Sequence, residues 1–240
     1  IAIYIYRYIY IYTHIYTSDG SRIVGGRESA PHSRPYMASL QSRGRNFCGG
    51  ALVRADFVVT AAHCDSSGPY TVVLGAHSLS ASEPTKQEFS VIRSIPHPAY
   101  DGDMNDIMLL KVRTDLIHFL NGSAQLSECV TAGWGDVGDN RTLATKLQEV
   151  GVTTLSQQEC RKRWDNKMTK RLFFNQNPLT VMRLLSLLFK GDSGGPLVCD
   201  RAAAGVVSFS GRRCGDPKTP DVYTRISSFT DWITEVLRSN

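Results

Sequence analysis

A chain of 240 residues with 42% apolar content can bury one substantial core or two smaller ones sharing an interface, which excludes both a disordered polymer and a mini-scaffold. Its net charge of +5 is spread over 27 basic and 22 acidic residues without a long basic run, so anionic surfaces attract it but nucleic-acid recognition is not implied. Six cysteines, none in a Cys-x-x-Cys pair and without a histidine cluster around them, favour disulfides over a metal site and place the chain in an oxidising compartment, secreted or stored in granules; nothing calls for a cofactor.

The first 17 residues alternate Ile and Tyr and include Arg7 and His14, which fits neither a signal peptide nor a membrane span. Alternating ATA and TAT codons give this repeat, so residues 1–22 have the form of translated non-coding sequence; an alternating β-strand is the structural alternative. After Arg22 come short apolar or alternating runs, Tyr36 to Gln41, Ala51 to Val53, Phe57 to Thr60, Thr71 to Leu74 and Phe89 to Ile92, punctuated by Gly, Pro, Asn and Ser. A second set covers Cys129 through Val150 to Thr154, Pro196 to Cys199, Gly205 to Phe209 and Val222 to Ile226. Many short strands at such spacing predict an all-β protein of antiparallel barrel or sandwich type. Asn121-Gly-Ser123 and Asn140-Arg-Thr142 are glycosylation acceptor patterns, meaningful in a secretory protein. At the end, Phe229, Trp232, Ile233, Val236 and Leu237 fall at helical spacing behind Ser228 as N-cap, which predicts an amphipathic helix over 228–239.

Three segments carry chemistry. Gly191-Asp192-Ser193-Gly194-Gly195-Pro196 sets a serine in a glycine-rich turn, where a hydroxyl can be exposed and neighbouring amides can converge on one point. A serine hydroxyl needs a base, and Thr60-Ala61-Ala62-His63-Cys64 offers one at the end of an apolar strand. The base needs an acid to fix its tautomer, and Asp106 opens the apolar run Ile107-Met108-Leu109-Leu110. Each alone has a structural reading, as turn serine, core histidine or strand-end cap; together they read as nucleophile, base and orienting acid.

With Ile23-Val24-Gly25-Gly26, Gly133-Trp134-Gly135 and Ser208-Phe209-Ser210-Gly211 added, the chain from Ile23 to Asn240 resembles the chymotrypsin family of serine proteases. The stretch Cys214 to Tyr223 draws the resemblance toward the leukocyte-granule group of that family. The resemblance implies two six-stranded antiparallel β-barrels, over about 23–125 and 126–226, and a closing C-terminal helix. It implies a secreted or granule endopeptidase, monomeric, with protein or peptide substrates, serpin-type inhibitors and heparin-like glycans as partners. Cleavage between Arg22 and Ile23 would free an α-amino group to pair with Asp192, aiming the amides of Gly191 and Ser193 at an oxyanion. Ser208 would support Asp106, and the substrate pocket would draw on Leu187, Ser208, Phe209, Ser210 and Asp221, with the Asp221 carboxylate favouring cleavage after Arg. The implied disulfides are Cys48–Cys64 and Cys129–Cys199.

The chain also departs from the family pattern. Cys160 and Cys214 should each have a partner upstream of Ser193, but Phe174 to Lys190 contains no cysteine, and Phe189 stands where the partner of Cys214 belongs. Leu184 to Phe189 can be written almost wholly in pyrimidine codons, as at an intron end, and the link from Asp106 to Cys129 is short for the family. The segment 174–190 would then replace the pocket wall and leave turnover weak or absent. A catalytically impaired homologue, or a cationic binding protein keeping fold and charge, is the competing reading.

Overall fold

The computed structural model describes residues 26–113, 129–136, 143–155, 180–183, 191–210 and 221–240. The expected strands form and extend. β1 is Arg27–Glu28, β2 Met37–Ser42, β3 Arg45–Arg54, β4 Phe57–Thr60, β5 Thr71–Leu74, β6 Gln87–Pro96 and β7 Met108–Val112. Further on, β8 is Cys129–Gly133, β9 Gln148–Leu155, β10 Thr180–Arg183, β11 Pro196–Cys199, β12 Ala202–Phe209, β13 Val222–Arg225, and the helix α1 Thr230–Ser239.

Six strands close into an antiparallel barrel in the order β2-β3-β4-β7-β6-β5. The other sheet runs β1-β9-β10-β13-β12-β11-β8, and β8 pairs back onto β9, so six of its strands form a second ring. Ala38, Leu40, Phe57, Val58, Val72, Ile107, Met108, Leu109 and Leu110 are fully buried in the first barrel's core. Leu197, Val207 and Tyr223 pack with Val150 and Val152 in the second. α1 lays Phe229, Ile233 and Val236 against the first barrel's cluster, the side of the stripe that the helical spacing marks.

Two expectations are corrected. The helix begins at Thr230 with Phe229 as N-cap, because Ile226–Ser228 wind into a 3₁₀ turn and the first helical amide, Ile233 N–H, donates to the Phe229 carbonyl. The first barrel does not begin at residue 23: β1 pairs with β9 of the other sheet, Arg27 opposite Glu149. Buried Glu149 fixes that pairing by accepting from Arg27 at 2.9 Å, from buried Arg34 at 3.1 Å and from Ser29 Oγ at 2.9 Å. Within 174–190, Thr180–Arg183 is strand, paired to β9 and β13.

Removing one partner of a buried ion pair strands the other charge in a poorly solvated site. Glu149→Gln should therefore lower unfolding free energy by about 3 kcal/mol. Exposed Glu88→Gln should change it by less than about 0.5 kcal/mol. Denaturant titration of the three proteins checks the contrast.

Candidate active site

His63 enters the site because β4 ends at Thr60 and the chain turns through a 3₁₀ segment, Ala62–Cys64, that points the imidazole outward. The Cys48–Cys64 disulfide ties that turn to β3. Opposite stands Asp106, buried at the entry to β7 behind Asn105, whose φ of +56° is a left-handed conformation that Asn tolerates. Its carboxylate accepts the His63 backbone N–H at 2.9 Å on Oδ1 and meets His63 Nδ1 at 2.7 Å on Oδ2. The imidazole is about a third exposed, 32%, against 6% for the Asp106 side chain, so one ring nitrogen is held inside while the other edge faces the cleft.

The second sheet completes this grip. Ser208 Oγ on β12 donates to Asp106 Oδ2 at 2.5 Å, and Thr224 Oγ1 on β13 donates to the Asp106 backbone carbonyl at 2.9 Å. Ser208 is buried, and its hydroxyl supports Asp106 as the family resemblance implies.

Ser193 sits in the turn before β11. Gly195 N–H closes the turn onto the Asp192 carbonyl at 2.9 Å, and Gly49 N–H of the first barrel donates to the Ser193 carbonyl at 2.7 Å. Gly191 and Gly194 have φ of +109° and +79°, which side chains with a Cβ rarely adopt. The Asp192 carboxylate is buried against Gly133-Trp134-Gly135 and accepts the Gly135 N–H at 2.8 Å. A Cβ on Gly133 would lie 2.0 Å from Oδ1, and one on Gly135 2.3 Å from Oδ2, which is why both positions lack side chains. His63, Ser193 and Gly191 line one cleft of about 500 Å³ with Phe47 and the Cys48–Cys64 bridge. Ser193 makes no hydrogen bond to His63 here, as is common when no substrate is bound.

Gly194 N–H donates to the Val207 carbonyl, so Ser208, Phe209 and Ser210 run past the Ser193 turn. Phe209 pairs with Val222, which brings buried Asp221 to the same end of the sheet. Burial holds the Tyr223 phenol well above its ordinary pKa, and the charges of Asp221 and Asp192 add to the effect. Both expected disulfides form, Cys48–Cys64 and Cys129–Cys199. Arg22, Ile23, Leu187, Cys160, Cys214, Asn121 and Asn140 lie outside the described residues. The sequence reading missed Thr224 and Asn46. Asn46 is buried and its Nδ2 donates to the Gly191 carbonyl at 3.0 Å, but no pattern distinguishes it from other polar residues in short strands.

Paired antiparallel barrels with a histidine, a buried aspartate and a serine turn at their junction define a serine-type endopeptidase. The chain belongs to the trypsin family, whose model matches residues 23–233. It is 42% identical to serine protease 57 of Mus musculus, over 92% of this chain and 83% of that protein. It is 43% identical to mast cell protease 3 of Ovis aries, over 92% and 91%. Among solved structures, mouse neuropsin, a serine protease expressed in the limbic system of the brain, superposes with a TM-score of 0.76 at 34% identity, covering 88% of this chain and 98% of that one.

Because its Cβ would collide with a buried carboxylate, Gly135→Ala should cost about 1–3 kcal/mol of stability. Gly68→Ala, at a position with open space, should cost less than about 0.5 kcal/mol. Paired thermal and denaturant unfolding of the two variants measures the difference.

Proposed function

We propose that the chain hydrolyses peptide bonds through an acyl-enzyme formed on Ser193, with preference for Arg on the acyl side. The observation that carries this reading is the buried Asp106 carboxylate, which holds His63 Nδ1 at 2.7 Å and leaves the other edge of the ring in the cleft that contains Ser193. Ser193 Oγ attacks the carbonyl carbon while its proton passes to His63 Nε2. The oxyanion accepts hydrogen bonds from the Gly191 and Ser193 amides. His63 then gives its proton to the departing amine, the C–N bond breaks, and water repeats the sequence to release the acid and restore Ser193. Asp106 orients the imidazole through its contact with Nδ1.

Asp221 supports the preference for Arg, because a buried carboxylate at the end of β12 and β13 that passes the nucleophile favours a cationic side chain. Small apolar side chains are the second choice. Activation by cleavage after Arg22, with the Ile23 α-amino group pairing Asp192, is supported by the buried position of that carboxylate beside the turn it would organise. Turnover by the chain as it reads is weak, since 174–190 brings no cysteine for Cys214 and an apolar stretch where the pocket wall belongs. The chain is a secreted or granule monomer. Serpin-type inhibitors act on it, and heparin-like glycans bind Arg161, Lys162, Arg163, Lys167, Lys170 and Arg171, a basic stretch in a chain of net charge +5.

Profiling on a peptide library is the test. Cleavage should follow Arg, Ser193→Ala should lower kcat by a factor of about 10³ or more, and Asp221→Asn should reduce the Arg-over-Leu ratio by about tenfold. Turnover that survives Ser193→Ala would overturn the mechanism, and an unchanged ratio in Asp221→Asn would overturn the specificity.

A further inference from the structure

The cleft around Ser193 does not end at the Cys48–Cys64 bridge. Beyond His63 its walls are Ser42 at the end of β2 and the loop residues Asp65, Ser66 and Ser67. A second groove of about 460 Å³ begins on the next residues of the same two segments, Arg43 and Gly44 on one side and Gly68, Pro69 and Tyr70 on the other. The base that protonates the departing amine must stand on the leaving-group side of the nucleophile. Ser208–Ser210 and Asp221 line neither groove, so among the described residues this path beyond His63 is open to the polypeptide that follows the scissile bond.

The turn between β2 and β3 is two residues long, Arg43 and Gly44, with φ of +50° and +72°. Two-residue turns with positive φ at both positions match the twist of their strands and hold them firmly, and they favour Asn, Asp or Gly at the first position. Arginine there accepts a strained backbone that Asn would bear more easily, and backbone strain of this kind collects at functional sites. Arg43 and Arg45 are exposed, and neither makes an ion pair or side-chain hydrogen bond among the described residues. Arg93 lines the same groove, donating to Asn240 Oδ1 at 2.8 Å, and the carboxylate on that wall is Glu88. Arg43 and Arg93 line this groove against one carboxylate, Glu88, and Arg45 stands across the two-residue turn, so this end of the path is cationic, whereas Asp65 stands nearer His63.

We infer that Arg43, with Arg45 and Arg93, forms a subsite for acidic side chains on the segment of a polypeptide substrate C-terminal to the scissile bond. The inference rests on the reading of His63 and Ser193 as the reacting pair, because that reading sets the direction in which the substrate runs. It narrows the substrate class from peptides bearing Arg to those in which Asp or Glu follows the cleaved bond.

Binding separates the subsite from turnover. Fluorescence anisotropy on the Ser193→Ala protein would compare three peptides sharing one acyl-side sequence ending in Arg, followed by a run of Asp, Ala or Lys. The Asp peptide should bind about fivefold more tightly than the Ala peptide. That advantage should shrink as salt rises. It should vanish in Arg43→Ala/Arg45→Ala and turn to favour Lys in Arg43→Glu/Arg45→Glu. Equal affinity for the three peptides, binding of none, or an Asp advantage indifferent to the arginine changes would overturn the subsite. Hydrolysis of a short arginine anilide by the protein with Ser193 intact tests the acyl-enzyme reading separately. Failure there alongside an arginine-dependent Asp advantage would contradict that reading and leave the subsite standing.

Discussion

The site hangs on one buried carboxylate. Asp106 belongs to the first barrel, yet it takes hydrogen bonds from both halves of the molecule: two from His63, one from Ser208 on β12, and one to its own backbone carbonyl from Thr224 on β13. Removing a carboxylate from water costs several kcal/mol even after relaxation. Hydrogen bonds to a charged group are worth about 1.5–3 kcal/mol each, so the three donors to its side chain are enough to offset that cost. Its position ties β12 and β13 to the entry of β7 and orients His63 at the seam between the barrels.

A second buried carboxylate plays the matching part under the nucleophile. Asp192 lies in a space that exists because Gly133 and Gly135 have no side chains, and its grip on the Gly135 amide ties the serine turn to the loop after β8. From the other side, Asn46 holds the Gly191 carbonyl and Gly49 holds that of Ser193. The turn is thus clamped by the first barrel, while its sequence belongs to the second.

Much of this was legible in the residues. Short punctuated runs foretold antiparallel strands, and the helical spacing of Phe229, Ile233 and Val236 marked the buried face of α1. The motifs around His63, Asp106 and Ser193 named the groups that the fold brings to one cleft or one hydrogen-bonded pair. What escaped detection depends on long-range contact. β1 is two residues long and has no pattern of its own; Glu149, more than a hundred residues away, makes it part of the second sheet. Ser228 has the chemistry of an N-cap, but the 3₁₀ turn consumes it and the helix starts beyond Phe229.

The central claim is that Asp106, by orienting His63, makes the Ser193 hydroxyl nucleophilic. The most direct measurement is the rate at which a small fluorophosphonate forms a covalent adduct on the peptide containing Ser193, followed by mass spectrometry in the parent chain and in Asp106→Asn. The account predicts an adduct on Ser193 in the parent and a rate about 10³–10⁴ times slower in Asp106→Asn. Equal rates in the two proteins, or an adduct on a serine other than Ser193, would contradict it.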